Sequence, residues 1–145
     1  MRVFFLFLTC VLLALAVGLA AVGAHAIPDG AVRSWGAANQ LHFYHALGMF
    51  VLLLLPIKRA AMLLYLALFC MLAGLVLFSG SIYLRVFSGV EIIEGMSRLV
   101  PVGGSLLILS WLLGAVVVLL NARTLGAGSV GNIKAGNKRQ AGNAG

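Results

Sequence analysis

Charged positions divide the chain into four long apolar stretches. Val3 to Ala24, Ala37 to Ile57, Ala60 to Leu84 and Leu99 to Ala122 each lack Asp, Glu, Lys and Arg. About 20 apolar residues in a helix cross the hydrocarbon core of a bilayer. The pattern predicts an all-α protein, an integral membrane bundle of four transmembrane helices over about 3–25, 37–57, 60–84 and 100–122. Membrane-spanning strands are excluded, because they are roughly half as long and alternate in polarity.

Small and polar positions give each helix a face. Cys10, Ala14, Gly18, Ala21 and His25 are three or four residues apart and share one side of the first helix. Small residues at that spacing let membrane helices approach closely, so this side is predicted to face neighbouring helices. In the second helix His42 and His45 share a side with Ala38 and Met49. In the third, Ala67, Cys70, Gly74 and Ser81 form an arc, flanked by Ala73 and Gly80. Ser79 and Tyr83 fall on another side, which leaves Ser79 without a packing assignment. In the fourth, Gly103, Ser110, Gly114 and Asn121 line up, and Trp111 sits in mid-run.

The links follow from local signals. Pro28-Asp29-Gly30 reads as a turn inside a short connection, Ile27 to Gly36, with Trp35 at headgroup level. Pro56 before Lys58-Arg59 ends the second helix, and the short link that follows makes a tight hairpin. Arg85 to Arg98, which holds Glu91 and Glu94, is predicted to be a second connection along the surface. Pro101 suits the first turn of the fourth helix. Residues 1–123 thus form the transmembrane domain. Residues 124–145, rich in Gly, Ala and Asn, are predicted to be a disordered basic tail. Arg2, an apolar stretch and Ala24-His25-Ala26 imitate a cleaved signal peptide, but the apolar run exceeds the usual signal core.

Composition changes this picture mainly through charge placement. The chain has 145 residues, 63% hydrophobic and 9% charged, with a net charge of +7. A soluble domain carries about 25% charged residues. Arg2, Lys58, Arg59, Arg123, Lys134, Lys138 and Arg139 belong to one set of helix ends, without an acid. Arg33, Arg85 and Arg98 belong to the other set and are balanced by Asp29, Glu91 and Glu94. The positive-inside rule then places both termini in the cytoplasm. Cations beside anionic lipid headgroups account for the basic balance without nucleic acid. Cys10 and Cys70 lie within apolar runs and read as small packing residues, not as a disulfide.

With this topology the unusual residues gather in the outer leaflet: His25, His42, His45, Ser79, Gly80, Ser81, Tyr83, Pro101, Gly103 and Gly104. Four short motifs carry them, Gly23-Ala24-His25-Ala26, Tyr44-His45-Ala46-Leu47, Phe78-Ser79-Gly80-Ser81-Ile82-Tyr83 and Val100-Pro101-Val102-Gly103-Gly104. In order and spacing they resemble the signatures of the small YgdD/YwdK-type membrane proteins, the domain of unknown function 423 family. The resemblance spans Val3 to Leu120 and implies a four-helix bacterial inner-membrane protein. It implies no activity, cofactor or catalytic residue. Val100 stands where that family usually has Thr, which removes a hydroxyl.

Three chemistries follow from these residues. His25, His42 and His45 at one depth could ligate a transition metal or haem, since imidazole suits zinc, copper, iron and nickel. Intramembrane polar groups often mark a solute path, which in so small a chain requires an oligomer. Ser79 or Ser81 with His45 could be drawn as nucleophile and base, but no carboxylate is placed to orient the imidazole. A fourth expectation is favoured: a non-enzymatic structural or accessory subunit without a cofactor. Its polar cluster would lock the bundle or dock a membrane-protein partner, a second copy or a lipid.

Overall fold

The computed structural model describes residues 1–88 and 94–126, the side chains of 94–97 excepted. Helix α1 spans Arg2–His25 and α2 spans Asp29–Leu54. Helix α3, Ala61–Leu75, continues through a π-helical turn, Val76–Gly80, into α4, Ser81–Ser88, so that 61–88 form one rod. Helix α5 spans Glu94–Leu120. Among the described residues there is no strand.

Among the described residues, three helical segments are long and apolar enough to cross a membrane: Arg2–His25, Ala61–Ser88 and Arg98–Leu120. Helix α2 is as long, but Asp29, Arg33, Asn39 and Gln40 make its first half more polar. Large apolar side chains point outward along the whole bundle, among them Phe7, Val17, Leu66, Ile108, Leu112 and Leu119. A belt of this kind is tolerated in hydrocarbon and not in water.

The helices pair as two hairpins laid side by side. Helix α1 packs chiefly on α2, and α3 chiefly on α5, while α2 also touches α3, the π turn and α4. Both hairpins are antiparallel. Asn39 reaches the carbonyl of Ala16 while Trp35 reaches that of Leu19, and Gly74 meets Leu107 while Phe78 meets Gly103. The core runs through Phe5, Met49, Leu53, Leu68, Met71, Leu107 and Val117. Arg2, Lys58, Arg59 and Arg123 belong to one end of the bundle, hereafter the basic end.

Several expectations change. Helix α2 begins at Asp29, not Ala37, so most of the expected Ile27 to Gly36 connection is helical. Pro28 precedes the helix with φ −59° and Asp29 lies in its first turn. Both residues favour a helix start as much as a turn, since proline presets φ and an acid complements the dipole. Trp35, expected at headgroup level, is buried between helices, 2% exposed. Helix α5 begins before Pro101, which lies inside it, and helix covers Arg85–Ser88, so the expected second connection is much shorter. Glu91 and nearly all of the expected tail, from residue 127, lie outside the described residues.

The face assigned to α1 is also corrected. Cys10, Ala14, Gly18, Ala21 and His25 are all exposed. The buried face is Phe5, Thr9 and Ala16, with Leu12, Leu19 and Gly23 partly covered. This stripe mixes large and small residues, and its Gly23 admits the ring of Trp35 from α2: an added methyl would sit only 2.6 Å from that ring. In α5 the expected line holds. Gly103, Ser110, Gly114 and Asn121 are buried, and Leu107 and Val117 complete it.

Candidate functional site

The π turn is the local device that builds the polar region. A wide turn inserts one extra residue and rotates everything after it relative to a regular helix. Ser79, placed outside the packing arc by regular helical spacing, is thereby turned inward and is fully buried. Its hydroxyl donates 2.8 Å to the backbone carbonyl of Ala38 in α2. Ser81 is also buried, but its hydroxyl bonds the carbonyl of Leu77 in its own rod. The two serines thus serve different ends, with the inter-helix bond made by Ser79.

The same turn meets α5 at close range. A methyl added to Gly103 would lie 2.6 Å from the Phe78 amide nitrogen and 2.9 Å from the Gly74 carbonyl oxygen. One added to Gly74 would lie 2.9 Å from the Gly103 carbonyl oxygen. Backbone therefore touches backbone across this pair, as small residues permit in membrane helices. A methyl added to Gly104 would meet the Phe78 ring at an ordinary 3.8 Å, and Gly80 has space around it. Pro101 is exposed, and its carbonyl accepts the Ser105 hydroxyl at 3.0 Å.

Around this crossing lies a buried group from α1, α2 and α4. The Trp35 indole N–H donates 2.8 Å to the Leu19 carbonyl, and the Asn39 amide donates 2.8 Å to that of Ala16. The Tyr83 ring stacks at a tilt on Trp35, with centroids 4.7 Å apart. Its hydroxyl stands 3.5 Å from His42 Nδ1, at the outer limit of a hydrogen bond. His42 is 2% exposed, and its Nε2 has no hydrogen-bond partner.

The expected histidine set does not assemble. His25 is exposed at the end of α1. His45 uses Nδ1–H to donate 2.7 Å to the Leu41 carbonyl and lies beside Trp111, with ring centroids 6.1 Å apart. The carbonyl can only accept, which fixes the proton on Nδ1. Among the described residues no three of His, Cys, Asp or Glu are grouped to hold a metal. Neither serine is hydrogen-bonded to His45, so the serine–histidine pair is not formed either.

Spacing alone missed two contributors, Trp35 and Asn39. The signal was present: Trp35, Ala38, His42, His45 and Met49 repeat every three or four residues along α2. At the basic end, Asn121 has a larger role than a place in the α5 line. Its Oδ1 accepts from the backbone N–H groups of Lys58 and Arg59 at 3.0 and 2.9 Å, and its Nδ2 donates to the carbonyl of Arg59 at 2.9 Å.

The family model described as "Protein of unknown function (DUF423)" matches residues 19–104. The chain is 39% identical over 110 residues to the UPF0382 membrane protein YwdK of Bacillus subtilis strain 168, covering 72% of this chain and 87% of that one. It is 31% identical over 115 residues to a UPF0382 membrane protein of Staphylococcus epidermidis strain ATCC 12228, covering 72% and 86%. A Staphylococcus aureus UPF0382 membrane protein, from strain bovine RF122, is 28% identical over 109 residues, covering 68% and 81%. No solved structure matches the chain significantly. The matched segment, 19–104, carries the Gly23–Trp35 fit, the Ser79–Ala38 bond and the Gly74–Gly103 crossing, and the chain belongs to the DUF423 family of membrane proteins of unknown function.

Proposed function

We propose that the protein is a structural or accessory subunit of the bacterial inner membrane, crossing it four times with both termini in the cytoplasm. The observation that carries this reading is where the buried polar groups are spent. Buried Trp35, Ser79 and Asn121 and half-buried Asn39 each bond the backbone of an element other than their own. Polar groups used in this way hold helices in register in a medium that offers no water. Helix α2 is the fourth span in this reading. It runs alongside α1 and pairs with it through much of its length, so it shares the depth of a helix apolar enough to cross. The excess of Lys and Arg at the basic end supports cytoplasmic termini.

Partners of this subunit are the bilayer and either a second copy or another membrane protein. Purification from native membranes in mild detergent, after cross-linking, tests the role: a defined protein or homo-oligomer is expected to co-purify. Reconstituted protein that drives flux of a solute would overturn it. One observation favours a second reading, transport by an oligomer. The unpartnered His42 Nε2, deep in the bundle, is the kind of polar atom a solute path uses. His42→Phe separates the two: the structural reading expects folded protein with unimpaired partner binding, whereas the transport reading expects lost flux.

A further inference from the structure

The basic end combines two features. The first is a clamped cationic turn. Asn121 is 1% exposed and holds the backbone of Lys58 and Arg59 with three hydrogen bonds. The next residue, Ala60, is the one described non-glycine residue at positive φ, 57°. Such a conformation is uncommon outside glycine and persists where surroundings impose it. The backbone is thus fixed while both cationic side chains remain exposed. Helix α3 starts directly after this turn without a side-chain cap, leaving its first N–H groups directed at the same end.

The second feature is an open groove of about 660 Å³, lined by Met1, Met62, Leu63, Tyr65, Leu66 and Phe69. It lies along the first turns of α3, where Phe5 brings the start of α1 against Tyr65 and Phe69 with ring centroids 5.8 and 5.2 Å away. Its lining is almost wholly apolar, and Arg2 directly follows Met1 at its edge. The three acids of the chain, Asp29, Glu91 and Glu94, all belong to the opposite connections in sequence, so no carboxylate of the basic-end segments competes for these cations.

We propose that this end is a binding site for one anionic phospholipid. An acyl chain lies along Met62, Leu66 and Phe69, and the phosphate is held by Lys58 and Arg59, with Arg2 beside them. Charge selects the occupant. A hydrocarbon groove on the first turns of α3, with a cationic turn and the uncapped helix start directly before them in the chain, matches a molecule with an apolar tail and a phosphate head. A neutral transmembrane helix would leave those cations unmatched.

Native mass spectrometry of the full chain in detergent tests this. Phosphatidylglycerol is titrated against phosphatidylcholine with the same acyl chains. Wild type is expected to retain one phosphatidylglycerol in preference to phosphatidylcholine. Lys58→Gln with Arg59→Gln should cut that preference by roughly thirtyfold, since each basic residue near an anionic headgroup contributes about fivefold. Leu66→Trp, which fills the groove from an exposed position, should remove the retained lipid while leaving the charge intact. Equal retention of both lipids by wild type overturns the proposal, as does retention unchanged by either variant. Loss in the charge variant alone, with Leu66→Trp binding normally, assigns the effect to surface charge and also overturns it. The substituted side chains are exposed, and unaltered melting of each variant confirms that folding is not the cause.

Discussion

At the scale of single residues, glycines that face backbone differ from glycines that face a side chain. Gly103 presses on the Phe78 amide and the Gly74 carbonyl, neither of which can swing away. Gly103→Ala is expected to destabilise the bundle by about 2 kcal/mol, the usual cost of overpacking a close contact. Gly48 gives the contrast. A methyl there meets the far edge of the Trp111 ring at 2.6 Å, and Trp111 is 43% exposed. That ring can rotate outward, so Gly48→Ala should change melting little. Gly23→Ala falls on the harder side, because the Trp35 ring it strikes is buried and tied to Leu19. Thermal melting of the three variants in one detergent checks the order: Gly103 and Gly23 sensitive, Gly48 tolerant.

At the scale of elements, the α2–α3 link depends on α5. Asn121→Ala removes three bonds to residues 58 and 59 and is expected to cost about 2 kcal/mol. Hydrogen exchange should rise at the Lys58 and Arg59 amides while the amides of α1 stay protected; an unchanged rate at the link would count against the clamp. The α5 line was legible because a regular helix keeps 103, 107, 110, 114, 117 and 121 on one side. In α3–α4 the expected Ala67, Gly74 and Ser81 are buried and Cys70 is half-buried, but Ser79 and Tyr83, expected on another side, are buried too, because the helix loses its regularity at Val76–Gly80. No helical wheel drawn through Ser79 anticipates an extra residue in the turn. The α1 face was misread for another reason. Small residues state how near a neighbour can come, not which side it takes: Trp35 fits against Gly23, which lies off the expected face, and the α3 aromatics fit against Phe5. The start of α2 was ambiguous because Pro28 and Asp29 serve a turn and a helix N-terminus equally well.

At the scale of the molecule, the exposed apolar belt, the family and the three helices apolar enough to cross all describe a membrane protein. The four crossings proposed above require residues 1 and 126 to lie on one side. Single cysteines at Arg2 and Arg123, introduced after Cys10 and Cys70 are replaced by Ala, should both be labelled by an impermeant thiol reagent only in inverted vesicles. Labelling of one from each face would rule out an even number of spans. A subunit whose buried polar groups lock helices together makes its sharpest prediction at Ser79, the hydroxyl that the π turn carries across to α2. Melting of Ser79→Ala in a lipid disc, compared with wild type, reads that role directly. The expected result is a loss of about 1 kcal/mol, seen as a melting temperature lower by a few degrees with the oligomeric state unchanged. Melting identical to wild type would contradict it.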